Sequence, residues 1–242
     1  MYDVVIIGGS LSGIITAIQL SKDYKVCLID INQEIGFPTN FPGLIKNIKL
    51  LDELFEDLNQ SKLYLKENQF GWGLRSEWLM KHLTHLAAKQ GTEILNRTKV
   101  TNVFIDKHLS LEIIGGGPDN RTINTKIIID ESQKISPGPG KKNHKIPIKN
   151  SNIIKTEIKT KKFFVGITLS IEDYPIELSK LVIERDDGLI EVWFEEMPKI
   201  MPNNGWIEIK NLESPILDRI MLVDDYFNNS ENIIQESKKY LT

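Results

Sequence analysis

The sequence predicts an α/β fold: a parallel β-α-β sheet with a β-meander, and beyond it a smaller antiparallel β-sheet domain. Three observations carry this. The chain opens on a continuously apolar, β-branched run, a glycine-rich turn and an apolar helical stretch, and a second apolar run follows. From Thr92 onward the hydrophobic period changes from helical to strand-like. A stretch rich in Pro, Gly and Lys then separates these strands from a second set.

Tyr2 to Ile7 is the apolar run expected of a parallel strand covered on both faces. Ile14, Ile15, Ala17, Ile18 and Leu20 make a helix apolar nearly all round, hence buried. "KVCLID", ending on Asp30, completes a β-α-β unit. "LLDELFEDLNQ" reads as a short amphipathic helix. "SEWLMKHLTHLAAKQG" reads as a better one, with Ser76 as N-cap, a face of Trp78, Leu79, Leu83, Leu86 and Ala87, and Gly91 at C′. "TEIL", "VTNVFID", "LSLEII" and "RTINTKIIID" are strands, three of them a meander whose last member returns to the parallel sheet. Residues 136–162 read as a basic linker or loop. "FFVGITLSIE", "LSKLVIER", "LIEVWFEE" and "GWIEIK" build the small antiparallel sheet. "RIMLVDD" is expected as a last buried strand, and "SENIIQESKKYL", capped by Ser230, as a last helix. The resulting division is 1–135 with 215–242 as the nucleotide-binding domain, 136–162 as the linker and 163–214 as the small domain.

Composition excludes several classes. A net charge of -3 gives no global case for nucleic acid. The single cysteine, Cys27, excludes an internal disulfide and a C-x-x-C metal site, and it fits a reducing, cytoplasmic setting. Asp3 stands where a signal peptide needs basic residues, and no run approaches eighteen apolar residues. His82 and His85 share a helix but have no third ligand at useful spacing, so no metal site is expected. No G-x-S-x-G elbow exists.

The chemistry lies in Gly8-Gly9-Ser10-Leu11-Ser12-Gly13, the expected pyrophosphate contacts. Gly8 serves the tight turn, Gly13 lets the helix pack close to the strand, and the helix N-terminus offers free N–H groups and partial positive charge. Ser10 replaces the middle glycine: its Cβ takes space where phosphates approach, while its hydroxyl is able to donate to them. Asp30, ending the second strand, is placed to bind a ribose hydroxyl pair. The fingerprint begins at residue 2, occurs once, and is followed by a meander before the return strand, which favours FAD as the dinucleotide.

These stretches together resemble the geranylgeranyl reductases, within the flavoprotein monooxygenase-like superfamily. "YDVVIIGGSLSG" is similar to that family's flavin loop, and "EIGFP" (Glu34 to Pro38) resembles the I-G-x-P segment after its second strand. "LRSEWLMKHLTHLAAKQGTEI" resembles its R-x-x-L helix, with Arg75 on the arginine that reaches the cofactor. "NNGWIEIK" resembles its G-Y-x-W-x-F-P-K segment, with Trp206 on the tryptophan. "DRIMLVDDYFNN" sits where the family has its L-x-G-D-A-A-G flavin-contacting turn. The pattern departs at Ser10, at Phe41 (a cysteine in the reductases), at Asp224, Tyr226 and Phe227, and at "IDES" (Ile129 to Ser132) in place of an A-D-G turn.

The resemblance implies a Rossmann-like FAD-binding fold and reduction of isoprenoid double bonds by FAD, with Arg75 and Asp225 holding the part of the cofactor beyond Asp30. No catalytic residue is assigned. The rival expectation is a shortened, non-catalytic relative that keeps the scaffold as a binding or partner subunit. The lysines from Lys134 to Lys162 read either as a solvated loop or as a weak contact with an anionic membrane surface, which would place the protein at the membrane periphery and near isoprenoid lipid.

Overall fold

The computed structural model describes residues 1–55, 63–135, 143–146, 151–170, 179–199 and 201–241. In chain order the elements begin β1 (Tyr2–Ile7), α1 (Leu11–Leu20), β2 (Val26–Ile29), β3 (Leu44–Ile45), α2 (Lys49–Asp52), β4 (Lys66–Asn68) and β5 (Gly71–Gly73). Next come α3 (Ser76–Lys89), β6 (Glu93–Leu95), β7 (Lys99–Ile105), β8 (Leu109–Ile114), β9 (Thr122–Asp130) and β10 (Ile153–Lys155). The series closes with β11 (Lys159–Leu169), β12 (Leu181–Glu184), β13 (Leu189–Phe194), β14 (Glu208–Ile216) and α4 (Val223–Leu241).

The chain forms two compact units. The first comprises Met1–Thr39, Met80–Ile158 and Tyr226–Thr242; the second comprises Asn40–Leu79 and Lys159–Asp225.

The first unit is built on a seven-stranded sheet in the order β6-β2-β1-β9-β8-β7, with β10 also on β9. β1 runs parallel to both neighbours, Val5 opposite Cys27 on one side and Ile128 on the other. That central place is why Val4 to Ile7 are wholly buried and why their sequence shows no alternation. β7, β8 and β9 form the antiparallel meander, and the apolar end of β9 returns to β1 in parallel. β8 covers the first half of β9's far side and β10 the second half, Ile154 opposite Ile129. α3 ends in a Schellman turn: Gly91 has φ +93°, and the Thr92 N–H reaches the Ala87 carbonyl at 3.0 Å.

The second unit carries the antiparallel sheet β12-β13-β11-β14 and the three short strands β3-β5-β4. One apolar cluster gathers Leu44, Phe163, Val165, Ile183, Trp193 and Leu222, with Phe163 and Trp193 edge-to-face at 5.7 Å. Another gathers Ile190, Val192 and Phe194, against which Trp206 packs. Trp206 lies where any Cβ on residue 166 would sit, which explains Gly166.

Several expectations are corrected. The stretch 136–162, read as a linker, contributes β10 and the start of β11, because isolated apolar residues such as Ile154 suffice for a short edge strand. Its residues 136–142 and 147–150 lie outside the described residues, as do residues 56–62; of the amphipathic helix expected over residues 50–60, the described part is helical only to Asp52, the end of α2. "RIMLVDD" is not a strand beyond one bridge, Ile216 to Ile220. α4 begins at Val223, with Asp224 and Asp225 in its first turn, where acids suit the helix dipole. Ser230 is therefore inside α4, its hydroxyl bonded to the Phe227 carbonyl at 2.7 Å, and is not a cap. Residues 40–79, expected with the glycine loop, pack in the second unit through Leu44 and β5. Among the described residues no helix is long and apolar enough to cross a membrane.

Candidate functional site

The glycine loop joins β1 to α1. Gly8 takes φ +102°, a conformation closed to ordinary side chains, and Ser10 is the N-cap of α1. The Ser10 hydroxyl accepts the Gly13 N–H at 3.0 Å, so the residue that replaces the middle glycine closes the helix end. The same hydroxyl donates to Oε2 of Glu131 at 2.6 Å, and the Ser12 hydroxyl donates to that oxygen at 2.7 Å. Lys134 Nζ binds the other carboxylate oxygen at 2.8 Å and reaches Ser12 Oγ at 3.3 Å. The Glu131 and Lys134 side chains are 0% and 1% exposed. Burial pushes the Lys134 ammonium below the usual lysine range, and the Glu131 carboxylate draws it back up.

Asp30 is also buried. Its Oδ2 accepts the N–H groups of Gly9 and Gly36, each at 3.1 Å, and its Oδ1 accepts that of Asn32 at 2.7 Å. The "EIGFP" segment thus folds onto the loop: a Cβ on Gly9 would strike Ile35, and one on Gly36 would lie 2.7 Å from the Gly9 carbonyl oxygen. A Cβ on Gly8 would lie 2.8 Å from the Glu131 carbonyl carbon. Gly8 to Gly13 are all buried by their own chain.

Gly8, Gly9, Ser10, Leu11, Ser12, Gly13 and Asp30 are therefore one cluster in the first unit. Arg75 and Asp225 belong to the second unit. The Arg75 side chain is 41% exposed, 3.8 Å from Glu77. Asp225 accepts the Leu222 N–H at 2.7 Å and holds Arg219 through two bonds, at 2.6 and 3.0 Å. Asp224 accepts the N–H groups of Lys46 and Asn47, both at 2.8 Å. Tyr226 and Phe227 are buried. Lys134, the first lysine of the proposed basic surface, is not on a surface at all, because its charge is matched by Glu131.

In this arrangement the loop does not fit a dinucleotide. The Ser10 and Ser12 hydroxyls that would meet a pyrophosphate are bonded to Glu131, and the Asp30 carboxylate that would meet a ribose accepts three backbone N–H groups. Sequence reasoning missed Glu131 and Lys134. The signal was present: an acid directly after an apolar strand, with a lysine three residues on, where the family pattern has A-D-G.

The second unit holds a cavity of about 830 Å³. Leu44, Phe163, Leu181, Ile220 and Leu222 make its apolar wall, and Lys46, Lys161, Lys180 and Arg219 bring cations to it, with Glu195 and Asp218 among them. Lys161 and Lys180 meet Glu195 at 2.9 and 3.5 Å. Among the described residues no cluster of His, Cys, Asp and Glu suits a metal ion.

A crossover from β1 through a glycine loop to α1 and β2, a meander returning beside β1, and a separate antiparallel sheet define the class: the Rossmann-type flavoprotein fold. A flavoprotein/dehydrogenase from Cytophaga hutchinsonii superimposes with a TM-score of 0.63 at 15% identity, over 99% of this chain and 78% of its own. A geranylgeranyl bacteriochlorophyll reductase-like protein from Thermoplasma acidophilum gives 0.60 at 15% identity, over 99% and 82%. A mutant of the halogenase PltM in complex with FAD gives 0.58 at 15% identity, over 99% and 69%. No protein-family model matches the sequence, and no curated protein matches it.

Proposed function

We propose that the chain is an FAD-dependent oxidoreductase of the geranylgeranyl reductase type, which takes an isoprenoid lipid into the cavity of its second unit. The observation that supports the substrate class is that cavity, an apolar wall edged with cations, which suits a long hydrocarbon chain ending in an anionic head. Its volume lies within the range of about 300–1,000 Å³ usual for small-molecule sites. Lys46 and Lys180 would hold the head, and Phe163 and Leu222 would exclude water from the chain. Gly8 to Gly13 and Asp30 remain the proposed FAD contacts of the first unit, on condition that Glu131 leaves the loop; for Arg75 and Asp225, in the second unit, the family resemblance alone supports that role. Exposed Lys145 and Lys155 of the first unit are the residues proposed to touch an anionic membrane surface in the cytoplasm.

A second reading has its own support. The Glu131 carboxylate on Ser10 and Ser12 favours a non-catalytic relative that keeps the scaffold to bind a ligand or a protein partner. One pair of measurements separates the two: flavin absorbance after incubation with excess FAD, and calorimetry with geranylgeranyl diphosphate. A yellow protein with about one flavin per chain that binds the lipid supports the oxidoreductase. A colourless protein that still binds the lipid supports the second reading, and no binding of either sinks both.

A further inference from the structure

We infer that Glu131 is a built-in occupant of the glycine loop, an intramolecular anion that competes with any diphosphate for the donors at the start of α1. Three features carry this. First, both loop hydroxyls, Ser10 and Ser12, converge on one oxygen of this carboxylate. Second, the anion brings its own cation. The 3₁₀ turn Ser132–Lys134 sets Lys134 on the other oxygen, so the pair is neutral and needs nothing from outside. Third, the turn is locked: Asp130 Oδ1 accepts the Ser132 N–H at 3.1 Å and its hydroxyl at 2.6 Å, which holds the backbone of Glu131 and Ser132 against Gly8.

A helix N-terminus attracts one anion, and here the chain supplies it. A diphosphate entering the same place would meet a like charge at close range in a buried setting, so the carboxylate and the ligand exclude one another. Binding therefore reports only on molecules whose Glu131 has swung out. If those are roughly 1% of the population, apparent affinity is about 100-fold weaker than that of the open loop. Lys134 stays behind on release and becomes a cation for the incoming phosphate.

The experiment compares wild type with Glu131→Ala, titrated with inorganic pyrophosphate and with FAD. Glu131→Ala is expected to bind pyrophosphate at least tenfold more tightly than wild type, and FAD likewise. Should Glu131→Ala not fold, Glu131→Ala combined with Lys134→Met, which empties the loop and strands no buried charge, takes its place. A gain for pyrophosphate without one for FAD keeps the inference and removes the FAD reading. Equal affinity of wild type and the opened variant for pyrophosphate, or no binding by a folded opened variant, overturns the inference.

Discussion

The glycine loop of the first unit and the cavity of the second are both lined by charge, yet they use it in opposite ways. In the loop the Ser10 and Ser12 hydroxyls and the Gly9 and Gly13 N–H groups are bonded within the chain, and its ion pair is sealed from water. Around the cavity the ion pairs are open: Lys180 and Glu195 keep 57% and 39% of their side chains exposed. Charge that is buried and matched holds a fold together, and losing one member strands the other. Charge that is exposed adds little stability and remains available to a ligand. The loop therefore reads as architecture in this conformation, and the cavity as a place for binding.

The largest expected effect comes from breaking the sealed pair. Lys134→Met leaves the Glu131 carboxylate without its cation, and denaturant unfolding should show a loss of about 3–5 kcal/mol. A loss below about 1 kcal/mol would mean that the pair is not held as described.

Asp30→Ala follows. Read from the sequence alone, Asp30 touches ligand and should affect affinity only. In the structure it serves three backbone N–H groups, so its removal should cost about 3 kcal/mol of stability. Unchanged stability with weakened FAD binding would restore the sequence-based role.

The next effect is set by pH. His144 Nδ1 accepts the Val100 N–H at 3.0 Å, and burial, with Lys99 adding to it and Asp130 opposing, lowers its pKa from 6.5 to about 4. The folded state keeps the ring neutral while the unfolded chain takes up a proton. Stability is thus full above about pH 6.5 and falls as pH drops toward 4, by about 2 kcal/mol after discounting for partial exposure. His144→Gln should flatten that part of the stability–pH curve; an unchanged slope would assign it to other groups.

The smallest effect sharpens the contrast from the other side. Lys180→Ala should change unfolding free energy by no more than about 0.5 kcal/mol, because its pair is exposed. Its consequence should be seen instead in weaker binding of geranylgeranyl diphosphate. A large loss of stability would show that the cavity's edge is structural too.

Much of this was legible in the sequence. β1, α1 and β2 sit deep in the first sheet, and burial on both faces writes itself as unbroken apolar runs. The meander was legible because β8 alternates, with Leu109, Leu111 and Ile113 inward. The start of α4 was not, since "IMLV" before Asp224 has the look of a buried strand. Only the bond from the Leu222 N–H to Asp225 shows where the helix begins. β10 was hidden by its basic surroundings, since three residues pairing with β9 leave no period to read. At the loop, local sequence named the residues and their proximity. What it lacked was the partner: Glu131 lies 121 residues from Ser10, and only the parallel pairing of β1 with β9 brings them together.

The place of Cys27 has a practical consequence. It lies in the middle of β2, between Val5 and Glu93 on neighbouring strands, and it is wholly buried. Burial, more than the nearby Glu93, pushes its thiol up, so the reactive thiolate is suppressed. As the sole sulfhydryl of the sequence, it makes the protein its own clock. A colorimetric thiol reagent added to the native protein has one target, reached only when the strands around it part. The rate of colour development counts those partings one molecule at a time, with no label to attach and no residue to change.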